Sequence, residues 1–183
     1  HEEYCLAGAG LGHTIPGCLA EYVALPSDSI ASIPDSISDS EAAAMQPMVA
    51  AIGRVYAVKI EIGDTVVVLG QGVIGRNCMQ VSRIWGAGKT IAIARRDESL
   101  AVSKALGADI VINASKVDSV EVVLEATNGV GADIVFECAG GETMLNQAIS
   151  MVRNEGKIML SCLLPLTITF GASLIAKLTN QRD

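Results

Sequence analysis

Residues 66–75 read VVVLGQGVIG. Four apolar residues in a row, closed by glycine, describe a strand buried on both faces, not a half-exposed one. Glycines at 70, 72 and 75 end that strand, and residues 73–85 continue as an amphipathic helical run. A buried strand that turns through glycines into a helix commits the chain to a β-α unit. The next strand must then lie parallel to the first, with the helix as its crossover.

The unit repeats. Short runs rich in Val, Ile and Ala predict strands at residues 65–69, 90–94, 110–112, 133–137 and 157–161. Helical patterns fill the gaps at 73–85, 98–106, 119–127 and 143–153. Alternation of this kind means an α/β fold, a doubly wound parallel sheet. Ahead of it, SDSE at 38–41 is a capping box, in which Ser38 caps and Glu41 reaches back. A helix is expected over 41–59, with Pro47 kinking it or marking its first turn. Residues 12–34 are irregular and rich in Gly, Pro and Ser, except that LAEYVALP at 19–26 alternates well enough for one strand. The expected division is therefore 1–40, 41–165 and a tail at 166–183.

Composition narrows the function. Of 183 residues, 50% are hydrophobic and 18% charged, as in a soluble, well-buried α/β protein. The net charge is -7, with no Lys/Arg-rich run, which argues against a nucleic-acid partner. Five scattered cysteines (5, 18, 78, 138 and 162) do not make a disulfide framework, and point to a reducing compartment and a cytoplasmic location. The uncharged stretch 158–176 has the length of a membrane span, but Pro165 and Gly171 interrupt it, so no membrane association is expected. The start, HEEYCLAG, has no Met and no leader, and reads as part of a longer protein.

GQGVIG fits G-x-G-x-x-G, and its setting between a strand and a helix makes the match specific. Gly70 permits the tight turn, Gly72 lets a pyrophosphate approach the backbone, and Gly75 lets helix and strand pack closely. The first helical amides, from Val73 and Ile74 onward, then face the phosphates. S-adenosylmethionine is a rival ligand for such a loop. An acid about 20 residues further on usually holds a ribose 2′-OH. Here that place is Ala94, followed by Arg95 and Arg96. A small residue leaves room for a 2′-phosphate, which guanidinium groups bind in fork geometry. The expected cofactor is NADP, with NAD as the alternative. Asp97 and Glu98 begin the next helix, where acids suit its N-terminus.

These stretches carry a resemblance. GCLAEYVALPSD, IEIGDTVVVLGQGVIG, SKALGAD, GADIVFECAGG and NEGKIML, in that order, resemble the medium-chain dehydrogenase/reductase superfamily, in its zinc-containing alcohol and polyol dehydrogenase branch. The resemblance implies a Rossmann domain over 41–165, preceded at 1–40 by the remnant of a GroES-like catalytic domain. It also implies NADP (or NAD) and zinc in the full-length protein, a small alcohol or carbonyl substrate, and a homo-oligomer. Cys5 stands in the place of the fourth cysteine of a structural-zinc cluster. One thiolate cannot hold a tetrahedral zinc, so within this chain Cys5 is otherwise a free thiol. Gln46, in AAMQPMVAA, stands where the family places a third catalytic-zinc ligand, and a neutral amide is a weak one. His13 reads as a loop histidine. Cys138, Ala139 and Gly140 would lie beside the cofactor ribose, and Ser161 near the nicotinamide, where SC departs from the family's Val-Gly. Cys138 has no base partner in view and reads as a packing residue, not a nucleophile. No catalytic residue is assigned within the chain.

Two other readings stay open at this point. One is a zinc-independent quinone or enone reductase of the same superfamily, favoured by Gln46. The other is a non-catalytic nucleotide-binding or interaction fragment.

Overall fold

The computed structural model describes residues 11–12, 15–27 and 30–161. Two compact units divide the chain, His1–Asp39 and Ser40–Asp183. In the first, the described residues form a small turn in which Gly12 N–H donates to Ile15 O at 2.9 Å. The strand expected at 19–26 does not form. Leu19 and Tyr22 are fully exposed there. A strand exists only with a neighbour to complete its ladder, and alternation alone supplies none.

The second unit, with Asp39 at its boundary, runs α1 (Asp39–Val58), β1 (Thr65–Leu69), α2 (Val73–Trp85), β2 (Lys89–Ala94), α3 (Asp97–Ala105), β3 (Ile110–Asn113), α4 (Ser119–Ala126), β4 (Ala132–Glu137), α5 (Glu142–Met151) and β5 (Val152–Leu160). α1 passes through Pro47 as one helix. The proline deprives the Ala43 carbonyl of its partner, and Ala43 is exposed, so water can serve it. No helix among the described residues is long and apolar enough to cross a membrane. The stretch 158–176 lies mostly outside the described residues.

All five strands are parallel, in the order β3-β2-β1-β4-β5. Period-2 alternation divides the core. Val66, Val68, Ile134 and Phe136 face one cluster with Ala51 and Val55 of α1 and Cys78 and Met79 of α2. Val67, Leu69, Ile91, Ile93 and Val135 face the other, with Val123 of α4 and Ala148 and Met151 of α5. That explains the uninterrupted apolar runs: both sides of each central strand are covered.

β5 departs from expectation. Its pairing with β4 jumps from Ala132↔Val152 to Ile134↔Lys157, so it begins five residues before the expected 157 and takes over the end of the expected helix. The irregularity falls at Glu155, with φ 60, and Gly156. Nearby, Asp133 accepts from Arg153 Nε at 2.6 Å and Thr65 N–H at 2.7 Å. Burial alone would raise the Asp133 carboxyl, but these donors outweigh it and hold it below the ordinary carboxylate range.

Candidate functional site

The strand order places a switch point at β1. Its chain neighbour β2 lies on one side and β4 on the other. Crossovers leave the carboxyl ends of β1 and β4 in opposite directions, which opens a crevice there. A cavity of about 910 Å³ occupies it. Its lining comes from the glycine loop (Gly70, Gly72), the end of β2 (Arg95, Arg96), and the β4–α5 turn (Cys138 to Gly141). A smaller cavity of about 440 Å³ lies away from this loop, beside Val130 and Arg153.

The three glycines differ in what a side chain would meet. Gly70 has φ +91, and an added Cβ would lie 2.9 Å from Ala139 N. Its N–H donates to Ile93 O at 2.9 Å, tying the turn to β2. At Gly75 a Cβ would run into the Gly70 carbonyl oxygen and sit 3.3 Å from Val68 Cγ1. Gly72 is different: nothing lies within 4 Å of its Cβ position. It is the N-cap of α2, with no side-chain cap and no acid in the first turn. The first amides of α2 therefore have no protein side chain to serve them, and the positive end of the helix dipole is uncovered. Val73 is exposed and Ile74 packs into the core. Neither lines the cavity, nor does Gly75.

At the end of β2, Ala94 is half-buried and Arg95 and Arg96 are exposed. Asp97 does begin α3. Its carboxylate accepts from Lys116 Nζ at 2.7 Å and Asn113 Nδ2 at 2.6 Å, which holds its pKa below the ordinary range. The nearest acid in sequence is thus engaged elsewhere. Among the described residues the ion pairs are Arg83–Asp109, Lys116–Asp97 and Arg153–Asp133, so both guanidinium groups of the cavity lack a carboxylate partner.

Cys138, Ala139 and Gly140 line the cavity opposite. Cys138 packs against the core cluster that holds Cys78, and its proximity together with burial pushes the Cys78 thiol far above its ordinary pKa. Ser161 follows β5, its N–H donating to Glu137 O at 2.8 Å; it is not part of the cavity lining. Cys18, Cys78 and Cys138 are free thiols.

The residues expected at zinc are not brought together. Gln46 is exposed on α1 and absent from the cavity lining. Cys5, His13 and Cys162 lie outside the described residues. No group of three His, Cys, Asp or Glu suited to a metal occurs among the described residues.

Sequence reasoning passed over two sets of polar residues. Gln71, in the middle of the glycine motif, is 4% exposed. Its Nε2 donates to Val68 O, and its Oε1 accepts from Ser103 Oγ, both at 2.9 Å. Ser99 Oγ donates to Gln71 O at 2.9 Å and accepts from Arg76 Nη2 at 2.9 Å. This network fastens the loop to α3 beside the arginine pair. The second is Glu137, fully buried at the end of β4, whose Oε1 accepts the N–H groups of Ala139 at 2.8 Å and Gly140 at 2.7 Å. An acid directly after the apolar run Ile134–Phe136 was the available signal, because a buried carboxylate demands donors.

Residues 73–180 match the family described as zinc-binding dehydrogenase. D-arabitol-phosphate dehydrogenase of Enterococcus avium is 31% identical over 85% of this chain and 45% of its own length. The chain thus spans about half the length of the curated relatives it matches. Among solved structures, a zinc-binding dehydrogenase from Sinorhizobium meliloti 1021 bound to NADP aligns with TM-score 0.73 and 25% identity, over 79% of this chain and 44% of that one. A short chain alcohol dehydrogenase from E. coli CFT073 complexed with NADH aligns with TM-score 0.80 and 25% identity, over 92% of this chain and 50% of that one.

Proposed function

The chain belongs to the zinc-binding dehydrogenase family, and from that premise we propose that it is the dinucleotide-binding part of an alcohol or polyol dehydrogenase that uses NADP. The observation that carries this is the pairing, in one cavity, of an open Gly72 with two guanidinium groups that have no carboxylate partner among the described residues. The residues present fit the cofactor. Gly70, Gly72 and the first amides of α2 would hold the pyrophosphate. Arg95 and Arg96 would hold the 2′-phosphate, in the space Ala94 leaves. The β4–α5 turn would wall the far side. The bound nicotinamide supplies the hydride acceptor or donor; the chain's own part is binding, orientation and exclusion of water.

Zinc does not fit the residues in hand. One exposed neutral amide is no tetrahedral donor set, and no group of three His, Cys, Asp or Glu suited to a metal stands beside it among the described residues. We propose that the full-length protein holds zinc through residues other than those described, acts on a small alcohol or carbonyl compound, and works in the cytoplasm as a homo-oligomer. Relatives named as polyol dehydrogenases support the substrate class. Gln46 supports a second reading, a zinc-independent quinone or enone reductase, which metal analysis of the full-length protein would distinguish.

The test is a titration of the 183-residue chain with NADPH and with NADH. Trp85, the single tryptophan, ends α2 and is half-exposed, so energy transfer from it to a reduced nicotinamide reports binding. NADPH should bind at least about tenfold tighter, the equivalent of one charge-assisted interaction. Equal or tighter NADH binding overturns the arginine argument alone. Binding of neither to the folded chain overturns the dinucleotide reading.

A further inference from the structure

One buried charge in the second unit has no part in the reading above. Glu137 has 0% exposure and ends β4 at the switch point, with Leu69 of β1 and Leu160 of β5 as its register partners. Its Oε1 takes two consecutive backbone donors, Ala139 N–H at 2.8 Å and Gly140 N–H at 2.7 Å. The same peptide segment lies directly over the glycine loop: a Cβ on Gly70 would be 2.9 Å from both Cys138 C and Ala139 N. The loop is thus clamped from one side by a carboxylate and seated on the other against a glycine that permits the approach. Gly140 and Gly141, with φ +86 and +96, then turn the chain into α5 along the cavity wall.

We propose that Glu137 is a positioning residue for the bound dinucleotide. By accepting the Ala139 and Gly140 amides it holds the β4–α5 turn down on Gly70, and so fixes the width of the crevice between that turn and the α2 N-terminus. It touches no cofactor atom itself. It also removes two amides from the crevice wall and places a negative charge beneath them. A phosphate is therefore directed to the α2 side, where the donors are free, and away from the β4 side. The inference rests on the dinucleotide reading. It goes further in assigning a function to a residue that does not line the cavity.

Glu137→Gln keeps the shape and one acceptor oxygen but removes the charge that strengthens both bonds. Glu137→Ala leaves two amides without their acceptor. Dissociation constants for NADPH and NADH, thermal melting, and hydrogen exchange at the Ala139 and Gly140 amides are measured on the 183-residue chain and both variants. In the Gln variant both constants should rise together by about tenfold, leaving the NADPH/NADH ratio unchanged, with melting within a few degrees of the parent. The two amides should exchange faster in the Gln variant while β1 amides do not. The Ala variant should bind more weakly still, with Gln giving partial recovery. Unchanged cofactor binding in the Gln variant, when the parent binds, overturns the proposal and leaves the dinucleotide reading standing. So does a loss of binding that only tracks a fall in melting temperature. If the Ala variant does not fold, the Gln variant and its exchange pattern decide alone. A parent chain that binds neither cofactor overturns both.

Discussion

Gly72→Ala separates fold from function at one atom. Gly72 has φ -77 and ψ -171, an extended backbone that alanine adopts without strain. Nothing lies within 4 Å of the new Cβ. Replacing glycine at such a position lowers the entropy of the unfolded chain and stabilises by about 0.4–1 kcal/mol. For a domain of this size that raises the melting temperature by roughly 1–4 °C. The methyl group occupies the space through which a pyrophosphate would reach the α2 amides. It would remove one or two charge-assisted hydrogen bonds, each about 1.5–3 kcal/mol. Affinity for NADPH should fall by roughly 10- to 100-fold at the least. The assay pairs thermal melting with titration of Trp85 emission. A more stable chain with weakened binding is the expected outcome. A Gly72→Ala chain that binds NADPH as tightly as the parent refutes the reasoning, because no phosphate then approaches that backbone.

Gly75→Ala should do the opposite to stability. Its Cβ meets a backbone carbonyl that cannot rotate away, so the cost lies at or above the upper end of about 1–3 kcal/mol, or roughly 6–12 °C in melting. Arg96→Asp should lower NADPH affinity by at least about tenfold and leave NADH affinity unchanged or improved, a reversal read in the same titration. Asp133→Asn should cost stability at neutral pH but not in acid. The folded-state pKa of Asp133 is depressed, so its contribution is full above the unfolded value of about 4 and is lost as pH falls through the lower folded value. Melting curves of parent and variant should therefore converge as the pH is lowered below about 4; a constant gap would mean that the Arg153 and Thr65 contacts contribute nothing through ionisation.

The parts of the fold that were legible in the sequence are those whose causes are local. α2 begins and ends at the residues read from the sequence because glycines bound it: Gly72 at its start and Gly86, with φ 114, at its end. The central strands were legible because burial on both faces leaves an uninterrupted apolar run. Where an element depends on a distant partner, the reading failed. Residues 19–26 alternate correctly but no described strand pairs with them. β5 starts at Val152 because the edge of β4 recruits it: Gly131 brings the backbone so close that an added Cβ would lie 2.8 Å from Arg153 N. Nothing in the stretch VRNEGK announces that. The crevice was legible as a motif; its fastening through Gln71, Ser99 and Ser103 was not, since those bonds join residues about 30 apart that only the packing of α3 beside the loop brings together.

The glycine motif also shows how a ligand can be inferred from a chain that carries none. Gly70 and Gly75 are demanded by the protein itself, one by its φ and by Ala139, the other by the Gly70 carbonyl. Gly63, Gly129 and Gly141 have open space around them but positive φ, so their backbones account for them. Among the described glycines only Gly53 and Gly72 have neither a neighbour nor a positive φ. Openness by itself therefore proves little, since Gly53 sits in the middle of α1, away from the cavity lining. What distinguishes Gly72 is position: it is the uncapped N-terminus of α2 and it lines the cavity that Arg95 and Arg96 also line. Folding makes no demand for glycine there. The proposed dinucleotide would account for it, with a pyrophosphate that comes closer to those amides than a methyl group allows.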